Sequence, residues 1–316
     1  MGTLSADPHF SIQTLTTGHQ PLTAFFMTTD PITLGHSPDP DDAFMFYAMA
    51  KELIDLRGYR FEHILQDIQT LNERATRGEL HVSAVSIHAY SYVLDKYALM
   101  PCGASMGENY GPMLVAQDTA GLPENPEAGQ VREWLKGKTI AIPGKMTSAY
   151  LAFQLAVGTD HNVRFVPFDQ IFDDIKAGNS DVGVIIHEGQ LTFAHEGLQL
   201  VLDLGVWWMQ RTGLPLPLGG NVIRKDFSLS DRKAITEITR ESVVYALTHR
   251  RPAVEHSMEH ARGLDTDLAD RFIGMYVNAL TLDYGDRGRA GIRLFLKEAH
   301  EAGIIPAPVE LEFVEL

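Results

Sequence analysis

The chain has 316 residues, a length that corresponds to about two domains. Hydrophobic residues make up 45% of the chain and charged residues 21%, proportions that exclude a disordered, collagen-like or coiled-coil protein. The 26 Lys and Arg residues against 41 Asp and Glu give a formal charge of −15, so the surface would repel a phosphate backbone and we expect no nucleic acid partner.

Three further features of the sequence concern the cellular location of the protein. The single cysteine, Cys102, cannot form an internal disulfide, which fits a reducing environment, and we predict a cytoplasmic protein. The first fifty residues contain no Lys or Arg, which argues against a secretory signal. No apolar run approaches the roughly 20 residues of a membrane span, so we expect no membrane partner. Residues 1–30 are rich in Thr and turn formers and predict an extension without an assigned function.

From residue 32 onward, short apolar runs alternate with helical stretches, a pattern that predicts βαβ units around a mostly parallel sheet. The first set has predicted strands at 32–35, 60–65 and 82–86 and predicted helices at 41–53, 67–76 and 87–95. Another apolar run follows at 113–116. The stretch AQDTAGLPENPEAGQ after it is rich in Pro, Gly and Asn and indicates a linker or surface loop.

A second α/β set follows this loop. It has predicted strands at 138–142, 163–166 and 182–186 and predicted helices at 147–157 and 168–176. Residues 213–220 read GLPLPLGG, which excludes a continuous helix and suits a crossover. The remaining chain predicts helices at 232–248, 253–262, 266–280 and 287–301.

One unit occurs twice in the sequence. The stretches RGELHVSAVSIHAY at 77–90 and AGNSDVGVIIHEGQ at 177–190 each have a glycine at a helix end, a turn and a buried strand. Ligands of parallel sheets bind at the carboxyl ends of the strands, so the residues that leave these two strands would face a cleft if the halves face each other. The alternative is that α/β proteins in general reuse such units.

His187 follows the second of these strands and stands beside Glu188. Histidine is the side chain whose ordinary pKa lies near neutrality, so His187 is a candidate general base. The alternative is that it only caps the strand and bonds a backbone group.

The turn IPGKMTSAY at 142–150 leads from a predicted strand into a predicted helix. The free N–H groups of the first helical turn, together with the hydroxyls of Thr147 and Ser148, would suit a carboxylate or a phosphate. Simple N-capping by either hydroxyl is the structural alternative. An anionic small-molecule ligand is therefore expected here.

Three other motifs are incomplete. Met146 stands where a phosphate-binding P-loop has Ser or Thr, and Thr139 where it has its first glycine, which excludes that loop. His256 and His260 have helical spacing but no evident third ligand, and the three carboxylates in HSPDPDDA at 36–43 lack the rest of a calcium loop, so we expect no metal site. Trp207-Trp208 suits packing better than base stacking.

Six ordered blocks between residues 32 and 226 resemble the 1,4-dihydroxy-6-naphthoate synthase family of the futalosine route to menaquinone. The blocks are SPDPDDAFMFYAM, AVSIHAYSYVLDKYALM, GASMGENYGPMLVA, IPGKMTSAYL, GVIIHEGQLTF and DLGVWWMQRTGLPLPLGG. The most specific are the His-Glu strand end and the last block. The C-terminal third adds little to the resemblance.

The resemblance implies an α/β, two-lobed periplasmic-binding-protein-like (type II) fold with a cleft between two domains. A larger lobe would comprise 31–116 and 215–316, and a smaller inserted lobe 117–214. The glycine-rich crossings at 107–111 and 213–220 would act as hinges.

The resemblance also implies an activity. The family splits cyclic dehypoxanthinyl futalosine, a small anionic compound, to 1,4-dihydroxy-6-naphthoate, with aromatisation as a driving force and no cofactor. The family's proton acceptor falls on His187. Its substrate-binding residues fall on Ala84, Val85 and Ser86 and on Thr147 and Ser148.

The first loop departs from the family pattern. The family more often has Ser-Pro-Cys-Pro-Asn-Asp where this chain has SPDPDD at 37–42, and the two extra acids would lie near an anionic substrate. Two alternatives therefore stay open at this point. One is a solute-binding protein for a small anionic ligand, and the other is a chorismate dehydratase of the same superfamily.

Overall fold

The computed structural model describes residues 30–261 and 263–316. The predicted extension at 1–30 lies, apart from its last residue, outside the described residues. No helix in this described part is long and apolar enough to cross a membrane.

Eleven strands in the described ranges form two sheets. They are β1 (Ile32–His36), β2 (Phe61–Leu65), β3 (Val82–Ser86), β4 (Tyr97–Leu99), β5 (Ser105–Gly107), β6 (Met113–Ala116), β7 (Thr139–Ile142), β8 (Asn162–Phe165), β9 (Val182–Ile185), β10 (Gln199–Asp203) and β11 (Leu216–Arg224). The first sheet has the order β2-β1-β3-β11-β4, and β5 also pairs with β11. The second sheet has the order β10-β6-β9-β7-β8.

The helices pack on these sheets. They are α1 (Pro40–Met45), α2 (Tyr47–Ala50), α3 (Ile68–Thr76), α4 (Ile87–Tyr90), α5 (Ala128–Trp134), α6 (Ser148–Val157), α7 (Ile171–Lys176), α8 (Gly189–Thr192), α9 (Leu204–Thr212), α10 (Leu229–Thr248), α11 (Arg250–Ser257), α12 (Thr266–Tyr276), α13 (Ala279–Leu282) and α14 (Gly285–Glu301).

Each sheet contains a parallel core of three strands and one strand that reverses direction. β1 pairs parallel with β2 and β3, and β7 pairs parallel with β8 and β9. β11 lies antiparallel to β3, and β6 lies antiparallel to β9. The carboxyl ends of β3 and β9 are each followed by a short helical turn, α4 and α8.

Most predicted strands and helices are confirmed to within a few residues, but the predicted helix at 41–53 divides into α1 and α2, and β4, β5, β10, α5 and α9 were not predicted. The predicted helix at 87–95 ends with α4, and the predicted crossover at 213–220 is the first part of strand β11. β6 pairs with β9 and β10, so residues 113–116 belong to the second sheet and not, as predicted, with the larger lobe. The division of the chain into lobes otherwise remains a proposal.

The largest cluster of buried apolar side chains joins the two sheets. It contains residues of β3 and β11 from the first sheet and of β6, β7 and β9 from the second, together with residues of α6, α9 and α14. The first turn of α6, which contributes Ala149, therefore rests on a core shared by both sheets. That core fixes where the site residues lie.

Candidate active site

A cavity of about 130 Å³ lies between the ends of β3 and β11 of the first sheet and the start of α6, which follows β7 of the second. All five residues predicted to bind substrate line it: Ala84, Val85, Ser86, Thr147 and Ser148. The structure thus brings together two segments that are about sixty positions apart in sequence. Among the described residues, those that line the cavity include no Lys, Arg or His.

Thr147 and Ser148 differ in what their hydroxyls can do. Thr147 is the N-cap of α6, where its Oγ1 accepts the N–H of Tyr150 at 3.2 Å and donates to the carbonyl of Gly144 at 2.9 Å. Ser148 Oγ accepts the backbone N–H of His88 at 3.2 Å, which leaves its own proton for another acceptor. Of the predicted pair, Thr147 caps the helix and Ser148 can donate to a ligand.

The first turn of α6 adds backbone donors beside Ser148. The N–H groups of Ser148 and Ala149 occupy the first two helical positions and have no carbonyl within the helix to bond. Both residues line the cavity. Together with the positive end of the helix dipole, these donors suit a carboxylate.

Ser86 ends β3 on the other side of the cavity. Its N–H donates to Asn72 Oδ1 at 2.8 Å, and its Oγ accepts from Asn72 Nδ2 at 3.0 Å. Ala84 lies directly opposite Asn221 in the pairing of β3 with β11, and Asn221 also lines the cavity. The strand pair therefore presents one polar wall to a ligand.

The acidic loop at 37–42 forms a different part of the wall. The Ser37 N–H donates to Asp42 Oδ2 at 2.6 Å, and Ser37 Oγ donates to Asp39 Oδ2 at 2.6 Å. Burial raises the pKa of Asp42 to about 7. Burial, followed by the charges of Asp42 and Asp39, raises the pKa of Asp41 well above its ordinary value. This part of the cavity is thus rich in hydrogen-bond acceptors, and the carboxyls of Asp41 and Asp42 take up protons at a higher pH than exposed carboxyls do.

His187 does not line this cavity, contrary to our expectation that its ring would stand over the cleft. Its ring lies edge-on to Phe168 and Phe172, with centroids at 5.6 and 5.7 Å, and its side chain is 11% exposed. The Nδ1 atom accepts the N–H of Gly189 at 2.9 Å. The imidazole is thus held by the two phenylalanine rings and by the turn into α8.

The residues on either side of His187 do reach the cavity. Ile186 and Gln190 line it, and Gln190 Nε2 donates to the carbonyl of Gly111 at 2.9 Å. The hydroxyl of Tyr276, on α12, donates to Gln190 Oε1. In the sequence, His187 thus directly follows a residue of the cavity wall, Ile186.

The polar cavity residues that the sequence did not indicate include Gln190, Asn221 and Tyr276. Gln190 could have been found, because it ends the repeated unit two residues after the His-Glu pair. Asn221 follows the two prolines and glycines that concealed β11, and Tyr276 had no sequence signal beyond its helix.

The remaining candidates from the sequence are the possible metal ligands and the tryptophan pair. In the described ranges, no group of three or more His, Cys, Asp or Glu side chains could hold a metal ion. The ring of His256 instead lies 5.2 Å from the ring of Tyr47. Trp208 is fully buried against Phe295, with ring centroids at 5.4 Å, as expected for packing.

Comparisons with known proteins give a consistent result. Residues 32–301 match a family described as menaquinone biosynthesis. A relative from Thermus thermophilus named 1,4-dihydroxy-6-naphthoate synthase is 34% identical over 284 residues, which cover 88% of this chain and 98% of the relative. A crystal structure of an Archaeoglobus fulgidus protein is 40% identical, with a TM-score of 0.80 over 87% of this chain and 98% of that one.

A more distant similarity concerns the fold alone. A Candida albicans protein described as having the generic periplasmic binding protein structural fold is 13% identical, with a TM-score of 0.60 over 91% of this chain and 98% of that one.

Proposed function

The chain belongs to the menaquinone biosynthesis family, and we propose that it acts as a 1,4-dihydroxy-6-naphthoate synthase. Its fold is the two-lobed periplasmic-binding-protein-like fold expected from the sequence. The substrate would be cyclic dehypoxanthinyl futalosine, and the enzyme a carbon–carbon lyase. The relatives named as synthases favour this function over solute binding and chorismate dehydration.

The observation that carries the proposal is the set of hydrogen-bond donors in the cavity. Ser148 Oγ, the N–H groups at the start of α6 and the hydroxyl of Ser86 can all point at one anionic group. A carboxylate bound there would be held by both sheets at once. The small anionic substrate of the proposed reaction supplies such a group.

His187 is the proposed proton acceptor, and its present geometry sets a condition for that role. Because Nδ1 accepts the Gly189 N–H, the neutral ring carries its proton on Nε2 and has no free lone pair for substrate. We propose that substrate binding turns the ring out from Phe168 and Phe172 toward the cavity. The ring would then take a proton from the substrate as a carbon–carbon bond breaks. A small three-carbon fragment would leave, the electrons of the broken bond would complete the aromatic ring, and the protein would mainly position the reacting atoms.

The experiment is direct. Purified protein is incubated with the cyclic futalosine derivative, and the naphthoate is detected by mass. We expect His187→Ala to lower kcat by about a hundredfold or more, as for loss of a general base, with little change in the affinity for product. His195→Ala is the matched control, because His195 is exposed on the loop after α8 and does not line the cavity.

Two outcomes would contradict parts of this proposal. Equal turnover by the wild type and His187→Ala would overturn the role of His187 as the base. Absence of naphthoate with the wild type, while the substrate still binds, would overturn the function. The cytoplasmic location is likewise proposed, from the single buried cysteine.

A further inference from the structure

Side chains of α3, the helix before β3, form hydrogen bonds to the turn that leads into α6. Gln69 and Asn72 are three residues apart and therefore lie on one face of α3. Gln69 Oε1 accepts the N–H of Met146 at 3.0 Å, and Asn72 Nδ2 lies 3.4 Å from the carbonyl of Met146. A Cβ atom on Gly144 would lie 2.4 Å from Gln69 Oε1, so this close approach depends on the glycine.

Asn72 also bonds Ser86 twice, and the two bonds fix the orientation of its amide. Asn72 is fully buried. Its Oδ1 accepts the Ser86 N–H at 2.8 Å, so the amide nitrogen must be the atom that faces Ser86 Oγ at 3.0 Å. An amide nitrogen can only donate, so Ser86 Oγ must accept. The hydroxyl proton of Ser86 is then left for another acceptor.

We propose that Asn72 is a positioning residue that keeps the hydroxyl of Ser86 turned as a donor toward the anionic group of the substrate. The proposal rests on the proposed function, because it takes Ser86 as a binding residue for that group. Asn72 itself does not line the cavity, so it acts through Ser86. The longer contact with Met146 places the same amide at the junction with the second sheet.

A nearly isosteric substitution can reverse the direction of the hydrogen bond between Asn72 and Ser86 Oγ. In Asn72→Asp, one carboxylate oxygen can still accept the Ser86 N–H, but the other accepts a hydrogen bond from the Ser86 hydroxyl and turns its proton away from the cavity. We expect the dissociation constant for 1,4-dihydroxy-6-naphthoate, measured by calorimetry at pH 8, to rise about tenfold to a hundredfold.

The pH profile separates polarity from a merely structural role. A protonated carboxyl can donate to Ser86 Oγ as the amide does, so the ratio of variant to wild-type dissociation constants should shrink as the pH falls from 8 to 5. Asn162→Asp is the control for the added charge, because Asn162 is exposed on β8 and its amide donates to Thr139 Oγ1 at 2.9 Å. That control should bind like the wild type throughout.

A double-mutant cycle tests whether Asn72 acts through Ser86. We expect Ser86→Ala to weaken binding and the further change Asn72→Asp to cost less than about twofold in that background. Asn72→Ala removes the amide without adding a charge, and its smaller effect should also disappear with Ser86→Ala, which keeps the test available if the Asp variant does not fold. Equal effects of the Asn72 changes in both backgrounds would overturn the proposal.

The cycle also distinguishes this proposal from the proposed function. A wild type that binds the naphthoate but does not form it would refute the function, while the cycle would still measure the role of Asn72. A wild type that does not bind the naphthoate would contradict both.

Discussion

Donors and acceptors are separated within the cavity. The end formed by Ser86, Ser148 and the first turn of α6 offers hydroxyl and N–H donors, and the loop at 37–42 offers carboxyl oxygens. An anionic substrate bound at the donor end would lie near carboxyls that the family pattern does not usually place there. Binding then depends on how many of these carboxyls are ionised.

Asp42 should make anion binding dependent on pH. Its pKa of about 7 in the folded protein means that it takes up a proton as the pH falls from 8 to 6, which removes a negative charge from the wall. We expect the dissociation constant for 1,4-dihydroxy-6-naphthoate to fall about threefold to tenfold over this range, as linkage requires when an anion binds the protonated site more tightly. Calorimetry at several pH values measures it.

The substitution Asp42→Asn identifies the group responsible. It keeps an oxygen that can accept the Ser37 N–H and removes the titration, so the pH dependence should become shallower and binding at pH 8 tighter. Glu62→Gln, on β2 away from the cavity, is the control for loss of one negative charge. If the Asp42→Asn variant binds the naphthoate with the same pH dependence as the wild type, a group other than Asp42 is responsible.

At this scale the sequence predicted which residues meet, but not how each is used. The family resemblance placed the strand end at 84–86 and the helix start at 147–148 at one ligand, which agrees with the general preference of ligands for strand ends and helix N-termini. Capping by Thr147 and a backbone bond of His187 were both stated as alternatives. The sequence could not decide between them and the ligand roles, because the orientation of His187 depends on its packing against Phe168 and Phe172.

Among the elements, β11 was the hardest to predict. It pairs with β3 along one edge and with β4 and β5 along the other, so it lies inside the first sheet although its sequence contains Pro217 and two glycines. Pro217 is tolerated where the register with β5 shifts, between Pro217 and Gly219. Strands β3 and β9 were predictable, because burial on both faces leaves short runs of small and β-branched residues between turns.

The crossings between the two sheets are closely packed. Gly205, the second residue of α9, lies against the backbone of the segment between β5 and β6. A Cβ atom there would be 1.9 Å from the carbonyl oxygen of Tyr110 and 2.6 Å from the nitrogen of Gly111. Backbone atoms cannot rotate away as side chains can. The glycine is therefore required for the approach of the two segments.

We expect Gly205→Ala to lower the free energy of unfolding by about 3 kcal/mol, the upper part of the range for overpacking. Urea denaturation followed by circular dichroism measures this. Gly129→Ala is the matched control, since Gly129 lies in α5 with nothing within 4 Å of an added Cβ atom, and there the change should stabilise the protein by up to about 1 kcal/mol. Equal effects at the two positions would show that the contact with Tyr110 is not limiting.

At the scale of the whole molecule, two sheets share one core. The largest buried cluster includes Val85 of the first sheet, Ile140 of the second and Trp208 and Leu296 of the helices that cover them. The two-lobed architecture was predictable from the repeated unit and the family resemblance. The shared core was not, because it arises from contacts between residues more than a hundred positions apart.

This shared core predicts that the two lobes unfold together. All three tryptophans of the chain lie on helices that follow strands of the second sheet, Trp134 on α5 and Trp207 and Trp208 on α9, so their fluorescence reports on that part. Circular dichroism reports on the helices of both parts. Since exposing Trp208 opens the cluster that also contains Val85 and Leu296, urea unfolding curves from the two signals should coincide, with equal midpoints and slopes. A fluorescence transition that precedes the loss of helical signal would instead mean that the second sheet and its helices unfold independently and that the common cluster contributes little to cooperativity.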